Sequence, residues 1–208
     1  TSQSRNAVWV EHRFAEDFVN ENEILQLVRT LENHGIRYAF LHTGPFETDG
    51  TIPSSRYKAA RRFLQLAKQI SPKIQWHAWL GQKRSLLTLD QEATRSNIVA
   101  QVAILTQLIG FDGVHFDIEP LQKQDEPFLQ LLDATRTLLK DQKEISVAVD
   151  EWQPRWLSRI LSFDSFVEGS FLKKIAEFSD LIVIMTYDSK ITNPLLYSWW
   201  VEQQLVYS

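Results

Sequence analysis

The amino-acid sequence predicts an α/β fold built on a parallel β-sheet. Six short runs of β-branched and aromatic residues are typical of strands, and each is followed by a segment whose apolar residues recur at helical spacing. Because the predicted strands begin about 35 residues apart, each connection is long enough to hold a crossover helix between parallel strands. Two architectures have this strand–helix order, a (β/α) barrel and a doubly wound open sheet.

The predicted strands occupy residues 7–10, 37–41, 73–79, 113–118, 145–149 and 181–185. Their Val, Ile, Phe, Trp and Tyr residues favour extended backbone. The chain therefore supplies about six strand–helix units, whereas eight units at this spacing would need roughly 280 residues.

Helices are predicted after the strands, and four of them carry a clear apolar stripe. Asp90 is a candidate N-cap of the third helix, Gly110 is placed to end it, and the fourth starts after Asp125 and Pro127. The last two helices, over 166–178 and 195–206, are less regular. The four stripes are Ile24, Val28 and Leu31; Ala60, Phe63, Ala67 and Ile70; Ile98, Val102, Leu105 and Ile109; and Phe128, Leu131, Leu132, Thr135 and Leu138.

The composition argues against several classes of protein. The 208 residues include 22 basic and 26 acidic side chains, for a net charge of -4, so no basic surface for nucleic acid is expected. No run of about 18 apolar residues is present that could insert into a membrane. The absence of cysteine excludes disulfides, thiolate catalysis and cysteine zinc sites, and it leaves His, Asp and Glu as possible metal ligands.

The fourth predicted strand carries the candidate chemistry. His115, Asp117 and Glu119 alternate with three apolar residues, so they point to one face of the sheet, with backbones about 6.6 Å apart along the strand. Two carboxyl groups side by side are costly to bury unless they serve a function. A carboxylic acid kept protonated beside an ionised neighbour is what general-acid cleavage of a glycosidic bond requires.

Two segments resemble the motifs of glycoside hydrolase family 18, the chitinase and endo-N-acetylglucosaminidase family. Residues 112–119 read Asp-Gly-Val-His-Phe-Asp-Ile-Glu, which is similar to the family pattern Asp-Gly-x-Asp-x-Asp-x-Glu on strand four. Residues 185–188 read Met-Thr-Tyr-Asp, which is similar to Met-x-Tyr-Asp on strand six. The resemblance implies a TIM-type (β/α)8 barrel, and it favours the barrel over the open sheet.

For the whole chain, the resemblance implies a single barrel domain over residues 1–208 that lacks its last two strand–helix units. Neither a linker nor a low-complexity stretch argues for a second domain. The first residue is Thr1 rather than Met, which together with the suspected family favours an exported protein. No oligomeric state follows from the sequence.

The resemblance also implies a mechanism, retaining and substrate-assisted cleavage of β-linked N-acetylhexosamine glycans. Glu119 would protonate the leaving oxygen, Asp117 would orient the attacking N-acetyl group, and Tyr187 would hydrogen-bond that group. Asp188 would shape the sugar subsite, and Met185 belongs to the same substrate-binding motif. The implied partner is an oligosaccharide or polysaccharide, with no cofactor and no metal.

Two departures from the family pattern keep alternatives open. His115 stands where the family has the first Asp of Asp-x-Asp-x-Glu, and it is a candidate substrate-binding residue that could hydrogen-bond Asp117. Residues 76–81 read Trp-His-Ala-Trp-Leu-Gly instead of the family's Ser-x-Gly-Gly. The alternatives are a non-catalytic, chitinase-like carbohydrate-binding protein and a barrel glycosidase of another family.

The end of the fifth predicted strand contributes two further candidates. Ser146, Ala148 and Asp150 share one face of this strand, with Asp150 at the site end, and Trp152 follows as a flat ring suited to stacking on a sugar.

A metal hydrolase is the remaining possibility, because several histidines end or follow strands. The sequence contains no His-x-His and no His-x-x-x-His, which argues against it. The candidate ligands are His12, His42, His77, His115, Asp117, Glu119, Asp150 and Glu151.

Overall fold

A computed structural model describes residues 6–15, 19–150, 168–186 and 192–206 of the chain. In this part of the chain, six strands form one parallel sheet in the order β1-β2-β3-β4-β5-β6. Every strand pairs with its neighbour in the chain, without the reversal of order that defines a doubly wound sheet. The arrangement is that of a (β/α) barrel represented by six strand–helix units, as predicted. The strands are β1 Ala7–Val10, β2 Tyr38–His42, β3 Gln75–Lys83, β4 Gly113–Glu119, β5 Glu144–Asp150 and β6 Leu181–Met185.

Six α-helices alternate with the strands in the described residues. Helix α3 continues into a π-helical turn at Ile104–Ile109 and ends at Gly110, whose φ of 103° lies in the left-handed region that glycine tolerates. None of the helices in the described ranges is long and apolar enough to span a membrane. The helices are α1 Glu21–Asn33, α2 Ser55–Ile70, α3 Glu92–Ala103, α4 Glu126–Leu139, α5 Gly169–Phe178 and α6 Pro194–Val206.

The N-cap of α3 differs from the prediction. The helix begins at Glu92 with Gln91 as its N-cap, and that residue forms no side-chain capping bond. Asp90 is exposed, and its carboxylate lies 3.9 Å from the Arg84 guanidinium. Asp90 therefore precedes the N-cap position, and the prediction was wrong by one residue.

The hydrophobic core lies between the sheet and its helices. The outward-facing residues of β4, Val114, Phe116 and Ile118, are buried here. Phe116 meets Phe128 of α4 edge-on, with ring centroids 6.4 Å apart. The alternation of the strand thus seals one face against helices and leaves the opposite, inner face for polar residues.

A buried ion pair fixes the loop that follows β4. The Arg84 guanidinium, 3% exposed, binds the Asp125 carboxylate through Nε at 2.6 Å and through a terminal nitrogen at 3.2 Å. Asp125 also caps α4, because its side chain accepts a hydrogen bond from the backbone N–H of Phe128. The pair joins the end of β3 to the start of α4, and the loop between Glu119 and α4 is held at its far end.

Removing one partner of this pair should be strongly destabilising. Asp125→Ala leaves the buried Arg84 guanidinium with only the exposed Asp90 carboxylate, 3.9 Å away, as a counter-charge among the described residues, so the free energy of unfolding should fall by about 3–5 kcal/mol. Glu21→Ala is the matched control, because it breaks the exposed Arg62–Glu21 pair and should cost about 0–1 kcal/mol. Urea unfolding of both variants measures the difference, and equal losses would contradict the structural role of the buried pair.

Candidate active site

The candidate catalytic residues lie on the inner face of β4. In the parallel register of β3 and β4, Trp79 pairs with His115, Gly81 with Asp117 and Lys83 with Glu119. Paired residues in a parallel sheet point to the same face, so these positions form one inner surface. Glu119 is the last residue of β4 and is half-buried, at the carboxyl end where barrel enzymes place their sites.

Asp117 is held by a strong hydrogen bond from β3. The indole N–H of Trp79 donates to Asp117 Oδ2 at 2.6 Å. Both side chains are partly buried, and a hydrogen bond to an ionised carboxylate is stronger than one between neutral groups. The bond fixes one carboxylate oxygen of Asp117 to β3, and the indole leaves the other oxygen, Oδ1, unbonded to it.

The first two residues of the strand-four motif have structural roles. The Asp112 carboxylate accepts hydrogen bonds from Lys68 Nζ at 2.6 Å and from the backbone N–H of Trp76 at 3.0 Å, which ties α2 and β3 to the start of β4. A Cβ at Gly113 would come within 2.4 Å of the Glu144 backbone oxygen and 2.9 Å of the His77 ring. Any side chain at residue 113 would therefore force β5 away from β4.

His115 is completely buried and does not contact Asp117 in the way the sequence suggested. Its Nε2 accepts a hydrogen bond from the Trp9 indole at 3.1 Å, and its Nδ1 lies 3.0 Å from Ser146 Oγ. The ring also stacks on Phe40, with centroids 3.8 Å apart. Both ring nitrogens are engaged, so the expectation of a hydrogen bond from His115 to Asp117 is wrong.

These partners determine the protonation of His115. An indole N–H can only donate, so Nε2 must carry a lone pair and the ring proton must sit on Nδ1. Burial lowers the pKa of His115 well below its ordinary value, and the neighbouring His77 lowers it further. His115 is thus a neutral residue of the barrel interior, below the position of Asp117 along β4.

Other predicted site residues divide into two groups. Asp150 and Met185 are register partners at the carboxyl ends of β5 and β6, so the structure brings them to the same end of the barrel as Glu119. Tyr187, Asp188, Glu151 and Trp152 lie outside the described residues. Of the described His, Asp and Glu side chains, no three come close enough to form a metal-binding group.

Sequence reasoning missed two residues that organise the inner face. Trp79 and Trp9 each donate an indole hydrogen bond, to Asp117 and His115 respectively. The sequence held one signal for Trp79. It lies two residues after His77 at the end of a predicted strand, which is the same spacing as that of His115 and Asp117. For Trp9 the sequence holds no such signal, since its bond to His115 spans 106 residues.

The fold is that of a (β/α) barrel, and a family comparison identifies its class. A family profile described as glycosyl hydrolases family 18 matches residues 14–202. The chain therefore belongs to glycosyl hydrolase family 18. A comparison with curated protein sequences gives no match.

Solved structures show the same fold at low sequence identity. The Ostrinia furnacalis Group IV chitinase is 13% identical, with a TM-score of 0.68 over 99% of this chain and 63% of that one. The Bacillus cereus spore cortex-lytic enzyme SleL is 16% identical, with a TM-score of 0.71 over 96% and 47%. The GH18 chitinase from Cycas revoluta, in complex with allosamidin, is 15% identical, with a TM-score of 0.71 over 99% and 65%. The chain thus spans less than two thirds of the length of each of these proteins.

The burial and hydrogen bonds of His115 predict how its ring titrates. Ring ¹⁵N shifts should show a protonated Nδ1 and an unprotonated Nε2, with no change as the pH falls from about 8 to about 6, the range in which an ordinary histidine begins to take up its proton. Trp9→Phe removes the donor to Nε2 and should mix the two tautomers. A titration of His115 near its ordinary pKa in the parent protein would contradict this description.

The lowered pKa of His115 also predicts the direction in which the free energy of unfolding changes with pH. Because His115 binds a proton more weakly in the folded chain than in the unfolded one, the free energy of unfolding should decline as the pH falls below about 6.5. His115→Gln should reduce that decline, since the variant has no imidazole to protonate on unfolding. Urea unfolding of both proteins at several pH values measures it, and identical slopes would contradict the assignment.

Proposed function

We propose that this protein is a retaining glycosidase that cleaves β-linked N-acetylhexosamine glycans with assistance from the substrate's own N-acetyl group. The observation that carries the proposal is the pair of carboxyl groups on the inner face of β4, Asp117 anchored by Trp79 and Glu119 at the strand's carboxyl end. Membership of family 18 supports it, and a second structure of the Cycas revoluta chitinase holds (GlcNAc)4.

In the proposed first step, Glu119 donates its proton to the glycosidic oxygen as the bond to the leaving sugar breaks. The acetamide oxygen of the sugar on the other side of that bond attacks the anomeric carbon, and an oxazolinium ion forms. Because Trp79 occupies Oδ2 of Asp117, Oδ1 is the oxygen that accepts the acetamide N–H. The carboxylate then orients the acetamide and stabilises the positive charge that develops on it.

In the second step, Glu119 acts as a base. It removes a proton from water as the water attacks the anomeric carbon and opens the oxazolinium ring, which restores the N-acetyl group. Two displacements at the same carbon retain its β configuration. In this proposal Tyr187 hydrogen-bonds the acetamide, and Asp188 shapes the sugar subsite. Further contacts with the substrate come from Asp150, Met185 and Trp152.

Closure of the barrel is part of the same proposal. Residues 1–208 are proposed to belong to one barrel domain, in which two further strand–helix units complete the eight-stranded architecture. The inner face would then be enclosed on all sides, and the sugar would bind across the carboxyl ends of the strands. His115 would act on the substrate only indirectly, because its ring nitrogens are bonded to Trp9 and Ser146.

A non-catalytic, chitinase-like carbohydrate-binding protein is the second candidate. The observation that favours it is the neutral, fully buried His115 at a position where the family motif has a carboxylate. Binding of an N-acetylglucosamine oligomer without turnover would support this candidate. The match to family 18 removes the alternative of a barrel glycosidase from another family.

Replacing the proposed acid tests the function directly. Glu119→Gln keeps the size of the side chain and removes its proton, so turnover of a chromogenic N-acetylglucosamine oligomer should fall by about 10²-fold or more. Glu126→Gln is the matched control, because Glu126 is exposed at the start of α4 and should leave the rate unchanged. Near-normal turnover in Glu119→Gln would sink the assignment.

Trp79 should act as a positioning residue for Asp117. Trp79→Phe keeps an aromatic ring but removes the N–H, and kcat should fall about tenfold or more, because hydrogen bonds to charged groups contribute about 1.5–3 kcal/mol. In an Asp117→Asn background the same change should add little, since the two residues act as one unit. Trp199→Phe, at an exposed tryptophan of α6, is the control.

A multiplicative loss in the Trp79→Phe, Asp117→Asn double variant would mean that the two residues act independently. The role given to the indole would then be wrong, even if each single variant were slow.

A further inference from the structure

A second feature of the barrel's carboxyl end takes no part in the proposed cleavage. A cleft of about 250 Å³ lies beyond the ends of β1 and β2, on the same side of the sheet as Glu119. None of its described lining residues belongs to either family motif. These residues are His12, Ala15, His42, Gly44, Pro45 and Arg56.

The charged group in this cleft is a cation. Arg56 is the second residue of α2 and is partly buried, and no carboxylate of the described residues pairs with its guanidinium. The N-terminal end of the helix adds partial positive charge at the same place. None of the described lining residues is acidic, so this part of the lining presents positive or neutral polar groups to a ligand.

His42 adds a polar atom that forms no hydrogen bond with the described residues. It is half-buried, and its Nδ1 is inaccessible to solvent and has no hydrogen-bond partner within the described ranges. The pKa of His42 is lowered to about 4, by burial first and then by the charges of Arg56 and His12. The Arg56 guanidinium and the two imidazole rings therefore lie close together, and a negative charge placed among them would be attracted to the guanidinium.

The cleft is separated from the proposed catalytic residues by a single aromatic ring. The His42 ring meets Trp79 edge-on, with centroids 4.6 Å apart, and the Trp79 indole donates to Asp117. A glycan bound across Asp117 and Glu119 would therefore extend over Trp79 into the cleft with a neighbouring sugar. Ala15 and Pro45 supply apolar surface there for the sugar ring.

We propose that this cleft binds a carboxylate carried by the glycan next to the cleavage site, with Arg56 as its main partner. This inference rests on the proposed function and narrows its substrate class to acidic N-acetylhexosamine glycans. A guanidinium binds a carboxylate through two parallel hydrogen bonds, a geometry that a sugar hydroxyl does not match. The carboxylate could belong to the sugar itself, as an ether-linked acid, or to the end of a peptide attached to it.

The test compares four ligands in the Glu119→Gln background, which prevents their hydrolysis. They are a neutral N-acetylglucosamine oligomer, the same oligomer with an O-lactyl carboxylate on one sugar, its methyl ester, and its amide to a short peptide with a free carboxyl end. Calorimetry should show the acidic oligomer binding about tenfold or more tighter than the neutral oligomer and the ester. Tighter binding of the peptide form than of the lactyl form would assign the carboxylate to a peptide.

Arg56→Gln should abolish the preference for the acid and leave the affinity for the neutral oligomer unchanged. Arg62→Gln removes the same charge from the same helix, outside the cleft, and should keep the preference. The inference is overturned if the ester and the acid bind equally, if Arg56→Gln keeps the preference, or if no oligomer binds. Acid-selective binding in a parent protein without turnover would uphold the cleft while refuting the proposed catalysis.

Discussion

The hydrogen bond from Trp79 to Asp117 is the interaction on which the site depends. A carboxylate on the inner face of a parallel sheet loses much of its hydration and needs a donor within the barrel. The register of β3 and β4 brings that donor from the neighbouring strand, and its distance of 2.6 Å is short for an N–H group. Because the indole is rigid and fixed in β3, Asp117 cannot rotate freely, and the direction of its second oxygen is set before any substrate arrives.

A series of hydrogen bonds fills the barrel interior beneath this bond. Trp9, His115 and Ser146 form a hydrogen-bonded series across β1, β4 and β5, and the Ser146 hydroxyl is also within 3.0 Å of His77 Nδ1. In the family motif a carboxylate stands in place of His115. A neutral imidazole at that depth avoids the cost of burying a further carboxylate below Asp117 and Glu119. The substitution therefore changes the electrostatics of the column while the fold of β4 is kept.

The sequence predicted the parts of this molecule that depend on local pattern. The six strands and the inward face of β4 follow from alternation, and Gly110 ends α3 with the positive φ expected of a C-terminal glycine. Asp90 missed the N-cap position by one residue, because helix boundaries depend on one or two local bonds and sequence patterns locate them only to within a residue or two. Family membership also followed from two short motifs, and in the first of them the backbone at Gly113 leaves no room for a side chain.

Contacts between distant segments could not be predicted in the same way. The partners of His115 come from β1 and β5, so its neutral state is a property of three strands and not of its own motif. The cleft beside Trp79 likewise joins His12, His42 and Arg56, which are separated in the chain and carry no recognisable spacing. Only the parallel register brings such residues to one end of the barrel.

The configuration of the first product tests the proposed chemistry most directly. Early in the hydrolysis of an N-acetylglucosamine oligomer, ¹H NMR should show new reducing ends in the β configuration, before mutarotation adds the α form, because substrate assistance implies two displacements at one carbon. The same oligomer without N-acetyl groups should not be cleaved. First appearance of the α product, or equal cleavage of the de-N-acetylated oligomer, would contradict a mechanism in which Asp117 orients the acetamide and Glu119 supplies the proton.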